Sequence, residues 1–228
     1  MRTNIAKNID NIKDQINSAC KNAGRDPNKI TLIAVSKKKS YEMIQIAHKK
    51  GINNFGENYA QELQEKASKI SSANVIWHFI GPIQSNKVKI IAKNADWVHA
   101  INREKIIKKL DLECRGLNKS INACIQVNIS SEESKSGCNP KDLLDIAKLV
   151  ESMKNINLRG IMALPKITNN KIEQKESMQL VIALSKELRS SFPDAKCISL
   201  GTTHDFNDAL IHGSTMIRIG ESIFGKRQ

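Results

Sequence analysis

The chain has 228 residues, 4% aromatic side chains and a formal net charge of +13. No apolar run approaches the roughly 18 residues of a membrane-spanning helix, and the first residues lack the apolar segment of a secretory signal. We therefore expect one domain over residues 1–228, located in the cytoplasm and without membrane contact.

The positive charge alone admits nucleic acid, anionic lipid or phosphorylated small molecules as partners. Lysines are spread along the chain without a run of five basic residues, and aromatic side chains for base stacking are scarce. We expect a solvated basic surface with a local anion site, and no nucleic-acid partner. The five cysteines are odd in number and lack C-x-x-C spacing, which argues against a disulfide framework and a structural zinc site.

Short apolar runs alternate with amphipathic segments along the whole chain. The first amphipathic segment, 5–23, has isoleucines at three- and four-residue spacing and is stopped by Gly24 and Pro27. The apolar runs predict strands at 30–35, 52–56, 75–80, 97–101, 123–129, 158–164, 196–200 and 215–219. The remaining segments predict helices at 41–50, after 57–59, and at 83–93, 102–116, 139–153, 173–190 and 205–212, with Asn102 and Asn139 as caps.

Eight strands, each followed by a helix except the last, favour a closed parallel (β/α)8 barrel of the TIM type over an open doubly wound sheet. The active site of such a barrel lies at the carboxyl ends of its strands. The polar loop 165–172 is a possible lid at that end.

Lys37 directly follows the first strand, which is predicted to run into it without a turn. Period-two alternation then places Lys37 on the face of Ile33 and Val35. Burial of its stem and the charges of Lys38 and Lys39 favour the neutral, nucleophilic amine. Such lysines form Schiff bases with carbonyl substrates or pyridoxal phosphate. A solvated basic cluster at a strand end is the alternative.

Two loops near the end of the chain, 199–203 and 219–222, are small, hydroxylated and rich in glycine. Barrels often bind phosphate with the loops that follow their last two strands. Arg218, in the last strand, can point inward, where a buried guanidinium needs an acceptor. A ligand nitrogen, a carboxylate or an internal salt bridge would serve.

His78 and His99 end neighbouring strands and are possible metal ligands. Glu57 and Glu221 are the only acids at strand ends, so a clustered ligand set is missing. We expect core histidines with satisfied hydrogen bonds, and no metal.

At these residues the chain resembles the pyridoxal phosphate homeostasis proteins, over nearly its whole length and in order. The most specific element is Trp-His-Phe-Ile-Gly-Pro-Ile-Gln-Ser-Asn-Lys at 77–87. The other matching segments are 34–37 (AVSK), 55–59 (FGENY), 134–137 (SKSG), 159–163 (RGIMA), 199–201 (SLG), 213–220 (GSTMIRIG) and 223–225 (IFG).

The resemblance implies the fold-type III barrel of the alanine racemase N-terminal domain, without the racemase C-terminal β domain. It also implies pyridoxal 5'-phosphate as cofactor, with Lys37 as the Schiff-base lysine, Asn58 beside the ring and Arg218 facing the pyridine nitrogen. The implied phosphate site consists of Ser199, Gly201, Thr203, Gly220 and the backbone of Glu221.

The chain departs from the family pattern at two places. Thr202 and Thr203 stand where Met-Ser is usual, and Thr203 keeps a hydroxyl. Glu221 stands where Thr or Ser is frequent, and its side chain cannot donate to phosphate although its amide can.

The role implied by the resemblance is a carrier and regulator of pyridoxal phosphate that hands the cofactor to apo-enzymes, and we expect a monomer. An arginine at the ring nitrogen leaves that nitrogen unprotonated, which makes the ring a poor electron sink, and we expect no further domain to supply a second base. A weak racemase or lyase is the alternative, and a nucleic-acid binder is a third, less supported reading. Lys135 is either a second cofactor contact or transfer point, or a solvated loop lysine.

Overall fold

The computed structural model describes residues 4–70, 73–130, 136–166, 168 and 170–226. Eight parallel strands among these residues close into a barrel in sequence order, and β8 pairs with β1. The predicted fold class is therefore confirmed. The strands are β1 Thr31–Val35, β2 Asn54–Glu57, β3 Ile76–Phe79, β4 Trp97–Ile101, β5 Ile121–Gln126, β6 Ile156–Met162, β7 Cys197–Thr202 and β8 Met216–Ile219.

Helices follow the strands and surround the barrel. Those in the described part of the chain are α1 Ile5–Asn22, α2 Tyr41–Lys49, α3 Ala60–Lys69, α4 Val88–Asn94, α5 Glu104–Gly116, α6 Leu143–Glu151, α7 Lys171–Ser191, α8 Phe206–Ile211 and α9 Glu221–Phe224. None of these helices combines the length and apolar character that crossing a membrane requires.

The first helix, α1, precedes the barrel and packs against α8 and α9. Its isoleucine stripe is buried, as the spacing predicts, and the Asn4 side chain caps it by accepting from the Lys7 amide. The Asn8 side chain donates to the carbonyl of Ile223 at 3.0 Å. This hydrogen bond joins α1 to α9, the helix that follows the last strand.

Strand residues divide between two environments because successive side chains point to opposite faces. Outward-facing residues such as Ala34, Phe55 and Trp77 pack with the helices in the main hydrophobic core. Inward-facing residues fill the barrel, where Ala100, Cys124 and Met162 form a smaller cluster. The barrel interior is therefore filled by side chains, and its polar groups lie at a few defined positions.

Three local predictions are wrong. The first strand ends at Val35, and Lys37 lies in a turn whose next residue, Lys38, has φ 58°. Asn102 does not cap α5, because the cap position is Arg103, whose guanidinium instead donates to the carbonyl of Ile83.

The helix expected from residue 83 begins with a 3-10 turn at Ser85–Lys87, and α4 starts only at Val88. Gln84, the residue before this turn, is extended at φ −88° and ψ 139°. Gly81 packs directly on Asn58, since a Cβ at Gly81 would lie 2.3 Å from the Asn58 carbonyl oxygen.

Candidate functional site

A cavity of about 250 Å³ opens at the carboxyl ends of the strands, as expected for this fold. It brings together six of the predicted site residues: Lys37, Asn58, Thr203, Arg218, Gly220 and Glu221. Ser199 and Gly201 do not line it. Residues from β1, β2, β7 and β8, or from the loops after them, thus meet in one place.

Lys37 reaches this cavity from the turn after β1 and is half-buried. The residue before it, Ser36, is fully buried, and its amide donates to the Gly56 carbonyl at 3.0 Å, which continues the pairing of β1 with β2. The Lys39 amide then donates back to the Ser36 carbonyl at 2.9 Å. Lys37 is therefore carried by a tight turn rather than by the strand itself.

Asn58 follows the end of β2 and lines the cavity. Its side-chain oxygen, Oδ1, is buried and has no hydrogen-bond partner among the described residues. A buried acceptor without a donor is costly, and such atoms in native structures ask for an explanation. A ligand hydroxyl or N–H in the cavity would satisfy it.

Arg218 points into the barrel, as the sequence predicts, and only 4% of it is exposed. Its guanidinium donates to the hydroxyl of Ser199 and, at 3.0 Å, to the carbonyl of Ala163. No ion pair between described residues includes Arg218. Burial lowers its pKa to about 10, so the group remains a cation at neutral pH. The cavity therefore borders a buried positive charge whose hydrogen bonds to Ser199 and Ala163 go to neutral acceptors.

A chain of side-chain hydrogen bonds continues from Arg218 across the barrel interior. We call it the polar column, and it consists of Arg218, Ser199, His99, His78 and Asn54. Ser199 Oγ lies 2.9 Å from His99 Nδ1, His99 Nε2 lies 2.9 Å from His78 Nδ1, and His78 Nε2 lies 2.9 Å from Asn54 Oδ1.

One direction of donation satisfies every atom of the column. Arg218 donates to Ser199 and Ser199 to His99, after which each histidine donates through Nε2 and the last acceptor is Asn54. This order requires both imidazoles to be neutral. Burial has the same consequence, because it lowers the pKa of His78 to about 3 and that of His99 well below its ordinary value. The expectation of core histidines with satisfied hydrogen bonds is confirmed.

Ser199 therefore has an engaged hydroxyl inside the barrel rather than a place on the cavity wall. Ser199 lies before the end of β7 at Thr202, so its side chain is set back from the strand ends that border the cavity. Beyond Ser199, β7 has one residue more than β8, because Ser199 pairs with Met216 and Thr202 with Arg218. Such a bulge re-aims the strand end. Gly201, at φ 99°, supports the packing of β7 on α8, since a Cβ there would lie 2.8 Å from that of Ala209.

The ends of β7 and β8 form the wall beside Lys37, because β8 pairs with β1. The amide and hydroxyl of Thr202 donate to Asp205, at 2.6 and 2.8 Å, which closes the loop after β7. Thr203 lines the cavity next to it. A Cβ at Gly220 would lie 3.2 Å from the Val35 carbonyl oxygen, so the chain after β8 stays close to its neighbour β1. Glu221 is exposed at the rim.

A second polar group beside Lys37 was not identified from the sequence. It consists of Ser36, Glu57, Glu62 and Lys66, and we call it the Glu57 cluster. Glu57 and Lys66 are buried, and their side chains lie 2.8 Å apart on the outer side of β2, against α3. The only sequence signal was an acid at a strand end, because the lysine that pairs with it lies nine positions further on.

Two further predictions concern other parts of the chain. Lys135 lies outside the described residues. No group of three or more metal-ligating side chains occurs among the residues that the structure describes.

A larger cavity of about 410 Å³ lies at the amino ends of β1 and β2 and contains none of the predicted site residues.

Comparison with known proteins agrees with this architecture. The family model described as alanine racemase, N-terminal domain, matches residues 7–228. A pyridoxal phosphate homeostasis protein of Haemophilus influenzae is 42% identical over 98% of this chain and 96% of its own length.

Solved structures agree as well. PipY of Synechococcus elongatus, solved with pyridoxal phosphate bound, superposes with a TM-score of 0.86 at 26% identity, over 97% of this chain and all of PipY. An alanine racemase of Clostridium difficile shares the fold, with a TM-score of 0.81 at 14% identity, over 98% of this chain and 57% of the racemase. The chain therefore belongs to the alanine racemase N-terminal domain family and, within it, to the pyridoxal phosphate homeostasis proteins.

Proposed function

We propose that this chain binds pyridoxal 5'-phosphate covalently through Lys37 and acts as a carrier and regulator of this cofactor rather than as a catalyst. The observation that carries the proposal is the meeting of Lys37, Arg218 and the unpartnered Asn58 oxygen in one cavity. A nucleophile, a buried cation and an open acceptor are the groups that an aldehyde-bearing pyridine ring requires.

The residues fit the cofactor chemically. When bound, pyridoxal phosphate supplies an aldehyde that condenses with an amine to a Schiff base, as a C=N bond replaces C=O and the oxygen leaves as water. Lys37 would provide the amine, and Arg218 would offer an N–H to the ring nitrogen. Asn58 would accept from the ring substituent, and Thr203 with the backbone at Gly220 and Glu221 would hold the phosphate. Gly220 keeps that wall open, because a side chain there would press on β1.

The surroundings of Arg218 favour storage over catalysis. Its nearest partners, Ser199 and Ala163, are neutral acceptors, and His99 behind them is neutral as well. Arg218 forms no ion pair with a carboxylate among the described residues, and a guanidinium does not give up its proton to a ring nitrogen at neutral pH. An unprotonated ring is a weaker electron sink than a protonated one, which supports storage over turnover.

The test is the absorbance spectrum of the purified protein with pyridoxal phosphate. We expect a visible band that disappears on borohydride reduction, with the reduced label mapped to Lys37 by peptide mass spectrometry. Lys37→Ala should remove the label at that position. Lys39→Ala is the matched control and should leave it in place, because the Lys39 amine is occupied by the carbonyls of Phe224, Gly225 and Lys226. A label absent from Lys37 in the unaltered chain refutes the proposal.

The carrier role is separated from the enzymatic alternative by adding amino acids to the loaded protein. A carrier exchanges or releases its cofactor without turnover, and it restores activity when mixed with an apo-enzyme that uses pyridoxal phosphate. Racemised or cleaved amino acid in excess over protein would establish the racemase or lyase instead.

A further inference from the structure

The two neighbours of Lys37 in the chain are both held by the Glu57 cluster. The Ser36 hydroxyl donates to Glu57 Oε1 at 2.5 Å, and Lys66 Nζ donates to the Ser36 carbonyl at 2.7 Å. On the other side, the Lys38 amide donates to Glu62 Oε1 at 2.7 Å. The residues on both sides of Lys37, Ser36 and Lys38, are thus held in place by side chains of β2 and α3.

Lys66 joins the two carboxylates into one unit. Its Nζ lies 2.8 Å from Glu57 Oε1 and 3.4 Å from Glu62 Oε1. The side chains of Lys66 and Glu57 are 6% and 0% exposed, so their attraction is little screened by water. Because Glu57 immediately precedes Asn58, the same unit also ties the Lys37 turn to a second residue of the cavity.

Stability alone does not account for such a cluster. A buried ion pair contributes little net stability compared with apolar residues of the same volume. Burial raises the pKa of Glu57 to about 7, although Lys66 and Ser36 act in the opposite direction. Its second oxygen, Oε2, is buried without a partner among the described residues. An acid is therefore kept in an unfavourable place, and two of the contacts around it converge on the residue before Lys37.

We propose that Glu57 is a positioning residue: together with Lys66 it fixes the turn after β1, so that the Lys37 amine is presented to the cavity at the distance and angle that covalent capture requires. The inference rests on the proposed function. It assigns no chemical step to Glu57, and the bond to Lys37 forms with loss of water as described above. Covalent capture by Lys37 and non-covalent binding of the ring should therefore depend on different residues.

The test separates these two events with a pair of ligands. Pyridoxal phosphate can bond to Lys37, whereas an analogue that carries a methyl group in place of the aldehyde can bind only non-covalently. Glu57→Gln should slow borohydride-trapped labelling of Lys37 roughly ten- to hundredfold, the scale at which a small misplacement of a reacting group acts. The affinity of the analogue should stay that of the unaltered chain.

Two further variants complete the design. Ser36→Ala removes one hydroxyl bond of the cluster and should shift labelling in the same direction by less, which covers the case in which Glu57→Gln does not fold. Glu65→Gln is the matched control, since Glu65 is an exposed acid on α3 that pairs with Lys69 at the surface, and labelling should not change.

The outcomes are distinct. Equal losses for both ligands would make Glu57 a structural residue, and unchanged labelling would give it no role at Lys37; either result overturns the inference alone. If the unaltered chain carries no label on Lys37, the proposed function is overturned and the inference with it.

Discussion

Two buried polar networks meet the barrel wall from opposite sides at β2, which supplies Asn54 to one and Glu57 to the other, and they differ in charge. The polar column inside the barrel is neutral except for Arg218 at one end, and its hydrogen bonds run in a single direction. The Glu57 cluster outside β2 is built from opposite charges. The column orients a side chain, whereas the cluster holds a stretch of backbone on both sides of Lys37.

The difference teaches how each part of the cavity is made rigid. Neutral partners suffice to orient the Arg218 fork, because a guanidinium has a fixed planar geometry. A flexible lysine has no such geometry, so the chain must fix the backbone that carries Lys37. The two networks should therefore respond differently to mutation and to pH.

The largest effect is expected from Lys66→Met. It leaves the Glu57 carboxylate buried without its partner, and breaking a buried ion pair costs about 3–5 kcal/mol of unfolding free energy. Urea denaturation at pH 8 measures the loss. Lys69→Met, on the exposed side of the same helix, should leave stability unchanged. Adding Glu57→Gln to Lys66→Met should restore most of the loss, since no buried charge then remains; a double variant as unstable as the single one would contradict the charged character of the cluster.

The polar column is tested by His99→Ala. The variant removes the hydrogen-bond partner of the Ser199 hydroxyl and of one ring nitrogen of His78. Each unsatisfied buried group costs about 1–3 kcal/mol of unfolding free energy. We expect a loss of about 3 kcal/mol in denaturant unfolding at neutral pH. His212→Ala serves as control, because the His212 ring is bonded to the Asp208 carbonyl of α8 near the surface. If His99→Ala were as stable as the unaltered chain, the column would not act as a connected unit.

The two networks should also have opposite pH signatures. Because burial raises the pKa of Glu57 from its ordinary 4.5 to about 7, its neutral form favours folding below pH 4.5, and this contribution is lost as pH rises through 7. Lys66 and Glu62 are the charged groups that face it. The histidines act the other way, since their lowered pKa values make stability rise as pH increases toward 6.5.

Denaturation curves between pH 5 and pH 8 compare the unaltered chain with Glu57→Gln. Glu57→Gln has no carboxyl group that ionises at this position, so it should not lose the stability that the unaltered chain loses as pH rises. The stability of the variant relative to the unaltered chain should therefore increase with pH. Parallel curves for the two proteins would show that Glu57 titrates alike in the folded and unfolded chain.

The smallest effect is expected at the phosphate wall. Thr203→Val removes one hydroxyl from the cavity, and a single hydrogen bond contributes about 0.5–1.5 kcal/mol. Pyridoxal phosphate should therefore bind about two- to tenfold more weakly. Unphosphorylated pyridoxal is the control ligand, and its affinity should not change. A loss shared by both ligands would place Thr203 away from the phosphate.

Local sequence patterns located the site but not its internal contacts. Arg218 points inward as expected, and the barrel rule correctly gathered Lys37, Asn58 and Gly220 at one end. Ser199 was expected at the cavity, yet its hydroxyl lies in the barrel interior, bonded to Arg218 and His99. Those partners stand on other strands, and no local pattern reveals them.

By itself the sequence determined the barrel, because the periodicity that marks each strand and helix is a property of short segments. The alternation of eight strands with helices follows from those segments. It also determined which loops meet, since parallel strands share one carboxyl edge. Only the tertiary structure decided the partners. His99 and Ser199 are 100 positions apart, and Glu57 finds Lys66 through the packing of α3 on β2. Such contacts arise from register and packing between elements, so they exist only once the barrel has closed.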